Sequence, residues 1–155
     1  QSVKTTERGG IRCLDAGKKI NGRKRHIVVD TLGLMVGLVI HSAGIQDRDS
    51  APDVLKTILK RWPWFRHIFA DGGYAGPKLK DRLEKVGKFT LEIVKRSDHA
   101  EGFKLLPRRW VVERTFAWLG RCRRLAKDFE KTVASAEAWV YIANIRLLTR
   151  RIARA

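Results

Sequence analysis

The amino-acid sequence predicts an α/β domain, and three observations carry that prediction. Two runs rich in β-branched and apolar residues, 26–29 and 34–40, are separated by Asp30-Thr-Leu-Gly33, which signals a hairpin with a short connection. Val54, Leu55, Ile58, Leu59 and Trp62 recur at helical spacing. A third apolar run, 68–70, ends on Asp71 and breaks into Gly72-Gly73. Strand-like runs alternating with helical patterns fold as a sheet covered by helices.

Composition sets the outer limits. A chain of 155 residues is one domain in size and long enough to enclose a core, so residues 1–155 are read as one unit. A hydrophobic content of 44% excludes a disordered basic tail as the description of the whole. Thirty-three Lys and Arg against 16 Asp and Glu leave a formal charge of +17. That excess favours a polyanionic partner, nucleic acid first and an anionic membrane surface second. A ribosomal or chromatin-like binder would carry the same charge, so charge alone does not separate binding from catalysis. No apolar run approaches the ~18 residues of a membrane span, and no signal peptide opens the chain. Cys13 and Cys122 sit in no metal-ligand spacing and are expected as free thiols in a reducing cytoplasm, with one disulfide as the alternative. The absence of an initiator Met agrees with a fragment or with processing.

Taken in order, residues 1–23 are polar, and Gly9, Gly10, Gly17 and Gly22 break any helical period. The basic cluster Lys18, Lys19, Arg23, Lys24 and Arg25 falls where a loop turns into the first strand. It reads either as a solvated hairpin tip or as an edge that grips phosphate, since Lys and Arg that displace counterions supply most nonspecific DNA affinity. The run 34–40 is apolar nearly throughout, which predicts an interior strand. Asp30 is a turn former by position, with a third catalytic acid as the weaker reading. His41 reads as an ordinary strand-end residue. Ser50-Ala-Pro-Asp53 combines an N-cap, a first-turn proline and an acid, and Pro63 stops the helix that follows. Asp47 and Asp49 are explained by loop and cap roles, with assistance to a metal as the alternative. Pro77 opens a short helix carrying Leu79, Leu83 and Val86, and 89–94 reads as a strand. The stretch 96–107 has no period and reads as a loop, with Lys95, Arg96 and Lys104 near it.

A helix is predicted over 110–129, with Val111, Thr115, Trp118, Cys122, Leu125 and Phe129 as its core stripe. Arg109, Glu113, Ala117, Arg121 and Arg124 lie on another face. Ser135 is the expected cap of a last helix, 136–152, whose stripe Ala138, Tyr141, Ile142, Ile145, Leu148 and Ile152 is expected to pack on the sheet or on the preceding helix. The tryptophans are core residues by default. Trp110, beside Arg109 and outside the stripe, is the one suited to stacking on a base.

Two acids stand out. Asp71, at the end of a buried strand and beside a glycine-rich loop shaped by Gly72, Gly73 and Tyr74, is placed as α/β folds present acids to substrate, although Asp-Gly also starts plain turns. Glu113 lies among arginines. It reads as one of several surface pairs contributing ~0.3–0.5 kcal/mol each, or as a carboxylate ligand beside guanidiniums that hold phosphates. Together, in a strongly basic chain, they suggest a metal-dependent reaction on phosphodiesters. Two divalent ions roughly 4 Å apart activate the attacking oxygen and stabilise the leaving one. Mg²⁺ takes hard oxygen ligands, and no Cys or His cluster suggests zinc.

Phe-Ala-Asp-Gly-Gly-Tyr at 69–74, Arg-Trp-Val-Val-Glu-Arg-Thr-Phe-Ala-Trp-Leu at 109–119 and the opening Gln1-Ser-Val-Lys-Thr-Thr resemble the DDE transposases of bacterial insertion sequences, in the group around insertion sequences five and four. The similarity runs from Gln1 to about residue 150. It implies a ribonuclease-H-like mixed sheet flanked by helices, two Mg²⁺ or Mn²⁺ ions, and three carboxylates, with Asp71 and Glu113 as two of them. The family's first Asp stands in an Asp-Ser-Gln-Ser pattern on the first strand. It would fall two residues before Gln1, so that strand is expected to be missing or truncated. A related signature places Tyr, Arg, Glu and Lys along the Glu helix. Arg109 and Glu113 match it, while Leu106 stands at the Tyr place and Gly120 at the Lys place, next to Arg121. The implied activity is cleavage of transposon ends and strand transfer into target DNA. The implied partners are terminal inverted repeats, target DNA and further copies of the chain, in the cytoplasm at the bacterial nucleoid and with no membrane. Arg109, Arg121, Arg124 and the cluster at 18–25 are the expected DNA contacts. Two other classes stay open: a catalytically dead DNA-binding remnant, and a ribonuclease-H-like nuclease unrelated to transposition.

Overall fold

A computed structural model describes residues 1–7, 10–94 and 107–154. Strands β1 (Ser2–Lys4), β2 (Cys13–Asp15), β3 (Ile20–Val29) and β4 (Met35–Ser42) form one antiparallel sheet in which β3 pairs with the other three. Strands β5 (His67–Ala70) and β6 (Thr90–Ile93) form a separate parallel pair. The helices are α1 (Asp47–Arg61), α2 (Pro77–Glu84), α3 (Pro107–Gly120) and α4 (Val133–Ile152). The α/β class and the order hairpin, helix, strand, helix, strand, helix, helix follow the sequence reading, with β1 and β2 as additions. The loop expected over 96–107 lies almost wholly outside the described residues.

The hairpin turns as its residues dictate. Asp30 Oδ1 accepts from the Leu32 amide at 2.9 Å and the Leu34 amide at 2.8 Å, and Gly33 takes a positive φ of 83°. Asp30 is therefore a turn former.

Strand β3 begins at Ile20, so the basic cluster falls partly inside the sheet and the expectation of an exposed phosphate edge is corrected for three residues. Arg23, Lys24 and Arg25 are buried. Strand alternation sends Arg23 and Arg25 to one face and Lys24 and His26 to the other. Arg23 donates to the Ile11 carbonyl at 2.8 Å and the Lys131 carbonyl at 2.8 Å, and Arg25 donates to the Leu125 carbonyl at 2.8 Å. Lys24 donates to the Ile45 carbonyl at 2.8 Å and pairs with Asp47 at 3.0 Å. Buried cations persist when their donors are satisfied, and here they fasten helices and loops to both faces of one strand.

Two apolar clusters lie against the chain's sheets. One joins Leu38 and Ile40 to Leu119, Leu125, Ala136 and Val140, with Ile27 against it. The other joins Val54, Leu55 and Ile58 to Ile68, Leu79 and Leu83, with Val28 and Val39 against it. Neighbouring residues of β3 and β4 thus serve opposite clusters, so the hairpin is covered on both faces.

The helices depart from expectation in detail. Helix α1 starts at Asp47, three residues before Ser50, and Pro52 lies inside it. Helix α3 stops at Gly120, and Arg123–Leu125 forms a separate 3-10 turn. Thr132, not Ser135, caps α4: its hydroxyl accepts from the Ser135 amide at 3.1 Å. The buried side of α4 is Ala136, Val140, Ala143 and Asn144, whereas Tyr141, Ile142, Ile145 and Ile152 are exposed. Small side chains at 136 and 143 allow close approach, so the alanine-bearing stripe docks and the bulkier one faces out. Trp62 and Trp64 are likewise exposed and meet edge to face at 5.5 Å.

Candidate active site

Asp71 follows β5 directly and begins the 3-10 turn Gly72–Tyr74, where its Oδ1 accepts from the Gly73 amide at 2.9 Å. The turn-starting reading of this residue is realised through that oxygen, while the other accepts no hydrogen bond among the described residues. Glu113 lies mid-way along α3. Its Oε1 accepts from Arg109 Nε at 2.8 Å, one helical turn away and about half exposed. A pair of that exposure contributes little stability by itself. The Arg108 guanidinium lies 4.9 Å from the Phe69 ring centre, which brings the start of α3 against β5.

Asp71 and Glu113 line one cavity of about 510 Å³, together with Asp30, Asp47, Arg108 and Arg109. Its other walls are largely apolar and come from β3, β5, β6, α1, α2 and α3. No group of three His, Cys, Asp or Glu stands close enough to hold a metal among the described residues.

Of the expected DNA contacts, Arg109, Lys18 and Arg25 border this cavity. Lys19 is exposed beside it in sequence, in a turn with φ of 53°. Arg121 is exposed beyond the end of α3. Arg124 is engaged elsewhere: its Nε donates to Glu130 Oε1 at 2.8 Å, and its guanidinium lies over Phe129 and Trp139. Trp110 is 39% exposed, with the Arg114 guanidinium 4.4 Å from its ring centre.

Beside Asp71 lies a polar cluster that the sequence reading did not assemble. His26 stacks on His41 with ring centres 4.6 Å apart, and its Nδ1 lies 2.9 Å from the Tyr74 hydroxyl. Ser50 Oγ is 3.3 Å from His26 Nε2, and Asp47 Oδ1 is 3.9 Å from the same nitrogen. Burial, with His41 beside it, pulls the His26 imidazole down to about 3, so it is neutral. Burial, helped by the charges of Asp47 and Asp71, pushes the Tyr74 phenol up. Ser50 Oγ donates its proton to the Asp47 carbonyl at 2.8 Å and so accepts from His26 Nε2, which leaves His26 Nδ1 to accept from the Tyr74 phenol. Burial alone would raise the Asp47 carboxyl, but the hydrogen bond and charge of Lys24 outweigh it and hold it below the usual carboxylate range. The signal for this cluster was period-two alternation, which places Lys24 and His26 on one face.

A family profile described as "Transposase DDE domain" matches residues 1–148. The chain belongs to the DDE transposase family. A Burkholderia cepacia protein, named as the proposed transposase for insertion sequence element IS402, is 32% identical to this DDE domain over 117 residues. That match covers 71% of the chain and 54% of the relative, so the chain spans about half the length of the curated relative it matches. No solved structure matches this DDE chain. Among its described residues, no helix is long and apolar enough to cross a membrane. Cys13 and Cys122 are free thiols.

Proposed function

We propose that residues 1–155 are a catalytic portion of an insertion-sequence transposase, which cuts transposon ends and joins them to target DNA at a ribonuclease-H-like centre. The observation that carries this reading is the shared cavity: Asp71 and Glu113, distant in sequence, both border it in a chain covered by the DDE profile. The donor chemistry suits Mg²⁺ or Mn²⁺, because both residues are carboxylates and each keeps one oxygen without a hydrogen bond among the described residues. Two such ions would be held by Asp71, Glu113 and a third carboxylate, and would stabilise charge on the attacking and leaving oxygens of a phosphodiester.

This chain's own residues would do the rest. Arg109 holds Glu113 by a direct hydrogen bond and keeps further donors for a phosphate oxygen. Lys18, Lys19 and Arg121 would add backbone contacts to terminal-repeat and target DNA, at the bacterial nucleoid. Copies of the chain would assemble on that DNA. The third carboxylate would arrive on an extended strand continuing β1 beyond Gln1, two residues ahead of it. The register supports that route, since Gln1 O accepts from the Arg25 amide at 2.8 Å. The next residues of such a strand would face His26 and Ile27 beside the apolar cavity. Titration of Mn²⁺ into the chain, followed by its electron paramagnetic resonance, tests the reading. Asp71→Asn and Glu113→Gln should each weaken binding, and binding unchanged in both would reject the site.

A further inference from the structure

We infer that Tyr74 and His26 together position Asp71, an assignment that rests on the reading of Asp71 as a metal ligand. The turn Gly72–Tyr74 carries only one side chain, because two of its three residues are glycine. Nothing lies within 4 Å of where a Cβ on Gly72 would stand. Tyr74 is thus the turn's single side-chain anchor, and its hydroxyl reaches across 48 positions of chain to His26.

That anchor is rigid. His26 sits in the middle of β3, the strand that pairs with three others, and is 5% exposed. Its ring is held by the parallel face of His41, 18° from coplanar, and by the Ser50 hydroxyl at 3.3 Å. The turn is closed at its other end by two bonds of Asp71: the Tyr74 amide donates to the Asp71 carbonyl at 3.1 Å, and the Gly73 amide donates to Asp71 Oδ1 at 2.9 Å. Among the described residues the β5–β6 pair shares no ladder with the larger sheet. A hydrogen bond between a turn after β5 and the centre of β3 therefore sets where the Asp71 carboxylate stands relative to that sheet. Partners that orient a ligating carboxylate in this way are worth about 10- to 100-fold in metal affinity.

The experiment uses the 155-residue chain with Mn²⁺ as probe and the Gly73 amide resonance as a metal-free reporter of its bond to Asp71. Tyr74→Phe is expected to melt close to the parent, to move the Gly73 amide upfield and to weaken Mn²⁺ binding about 10-fold. His26→Gln, whose side-chain carbonyl still accepts from the phenol, is expected to keep both signals near those of the parent. Should Tyr74→Phe not fold, His26→Phe removes the acceptor while keeping a stacked ring, and must displace the same resonance. A Gly73 amide that does not move on loss of the Tyr74–His26 bond overturns the positioning role. If it moves while Asp71→Asn leaves Mn²⁺ binding intact, the tether stands and the assignment of Asp71 as ligand falls.

Discussion

Arg23 and Asp128, 105 positions apart, form an ion pair with almost no access to solvent: Arg23 Nη1 donates to Asp128 Oδ2 at 2.9 Å. The remaining guanidinium donors meet the carbonyls of Ile11, Glu130, Lys131 and Thr132 at 2.8 to 3.2 Å. Asp128 in turn takes its place beside β1, donating its amide to the Lys4 carbonyl at 2.8 Å. One side chain thus ties β3 to the segment before α4. Removing one partner of a buried pair typically costs about 3–5 kcal/mol, because the other charge is left unpaired. Arg23→Ala should lower the unfolding free energy read from urea melts by that amount. Arg23→Lys should rescue little, since an ammonium has neither the reach nor the fork to serve five acceptors. An unfolding free energy lowered by less than about 1 kcal/mol in Arg23→Ala would contradict this account.

Salt dependence separates the basic residues that face solvent from those that do not. Each neutralised phosphate contributes a slope of about −0.9 in log affinity against log salt. Lys18→Ala and Lys19→Ala should each make the slope for duplex DNA shallower by up to that amount, similarly on unrelated sequences, with the fold unchanged. Arg25→Ala should act through stability instead, because its guanidinium serves the Leu125 carbonyl at 2.8 Å and the Lys127 carbonyl at 3.2 Å. Titrations of a labelled duplex at several salt concentrations, beside urea melts, distinguish the two behaviours.

Acid should weaken the fold well above the range of ordinary carboxylates. His26 is held down to about 3 by burial and by His41, against an ordinary value of 6.5, so the unfolded chain binds the extra proton throughout that window. Its contribution is complete above about pH 6.5 and is lost as pH falls toward 3, at up to about 1.4 kcal/mol per pH unit. His41 is lowered as well, by burial, and acts in the same direction. Urea midpoints at pH 7, 6 and 5 should therefore fall in sequence, and His26→Gln should flatten the decline. A flat profile in the parent chain would mean that protonated His26 is accommodated.

Much of this was legible in the sequence, and the misses have physical causes. The hairpin, the strand ending at Asp71 and the helix stop at Pro63 are written in local chemistry: β-branched runs, turn residues and proline. The resemblance singled out Asp71 and Glu113, which border one cavity. Arg23, Lys24 and Arg25 were misplaced because a basic run looks solvated until its tertiary partners are known. Carbonyls at 11, 45, 125, 127 and 131 make their burial tolerable, and nothing local announces those contacts. Helix α4 offers two apolar stripes, and periodicity does not say which one docks. The Tyr74–His26 bond joins residues 48 positions apart through one hydroxyl, a distance at which sequence spacing carries no signal.

The last prediction concerns catalysis. Two divalent ions at one phosphate repel each other, so the protein must supply enough negative charge to hold both. Asp71 and Glu113 supply two carboxylates. Asp30, which also borders the cavity, commits one oxygen to the amides of Leu32 and Leu34, and Asp47 is paired with Lys24 at 3.0 Å. Among the described residues no three such side chains stand close enough together to hold a metal, so neither Asp30 nor Asp47 completes the set where it stands. The 155-residue chain should therefore bind duplex DNA but show no Mg²⁺- or Mn²⁺-dependent cutting or strand transfer. Extending it ahead of Gln1 with an Asp-Ser-bearing strand should raise its melting temperature, by filling the apolar cavity beside β3, and should restore cutting. In that longer protein Asp71→Ala and Glu113→Ala should each abolish cutting while leaving DNA affinity within a few-fold. Supercoiled-plasmid nicking with either metal reads the outcome. Vigorous cutting by the 155-residue chain, lost on Asp30→Asn, would instead identify Asp30 as the third ligand and overturn the arrangement argued here.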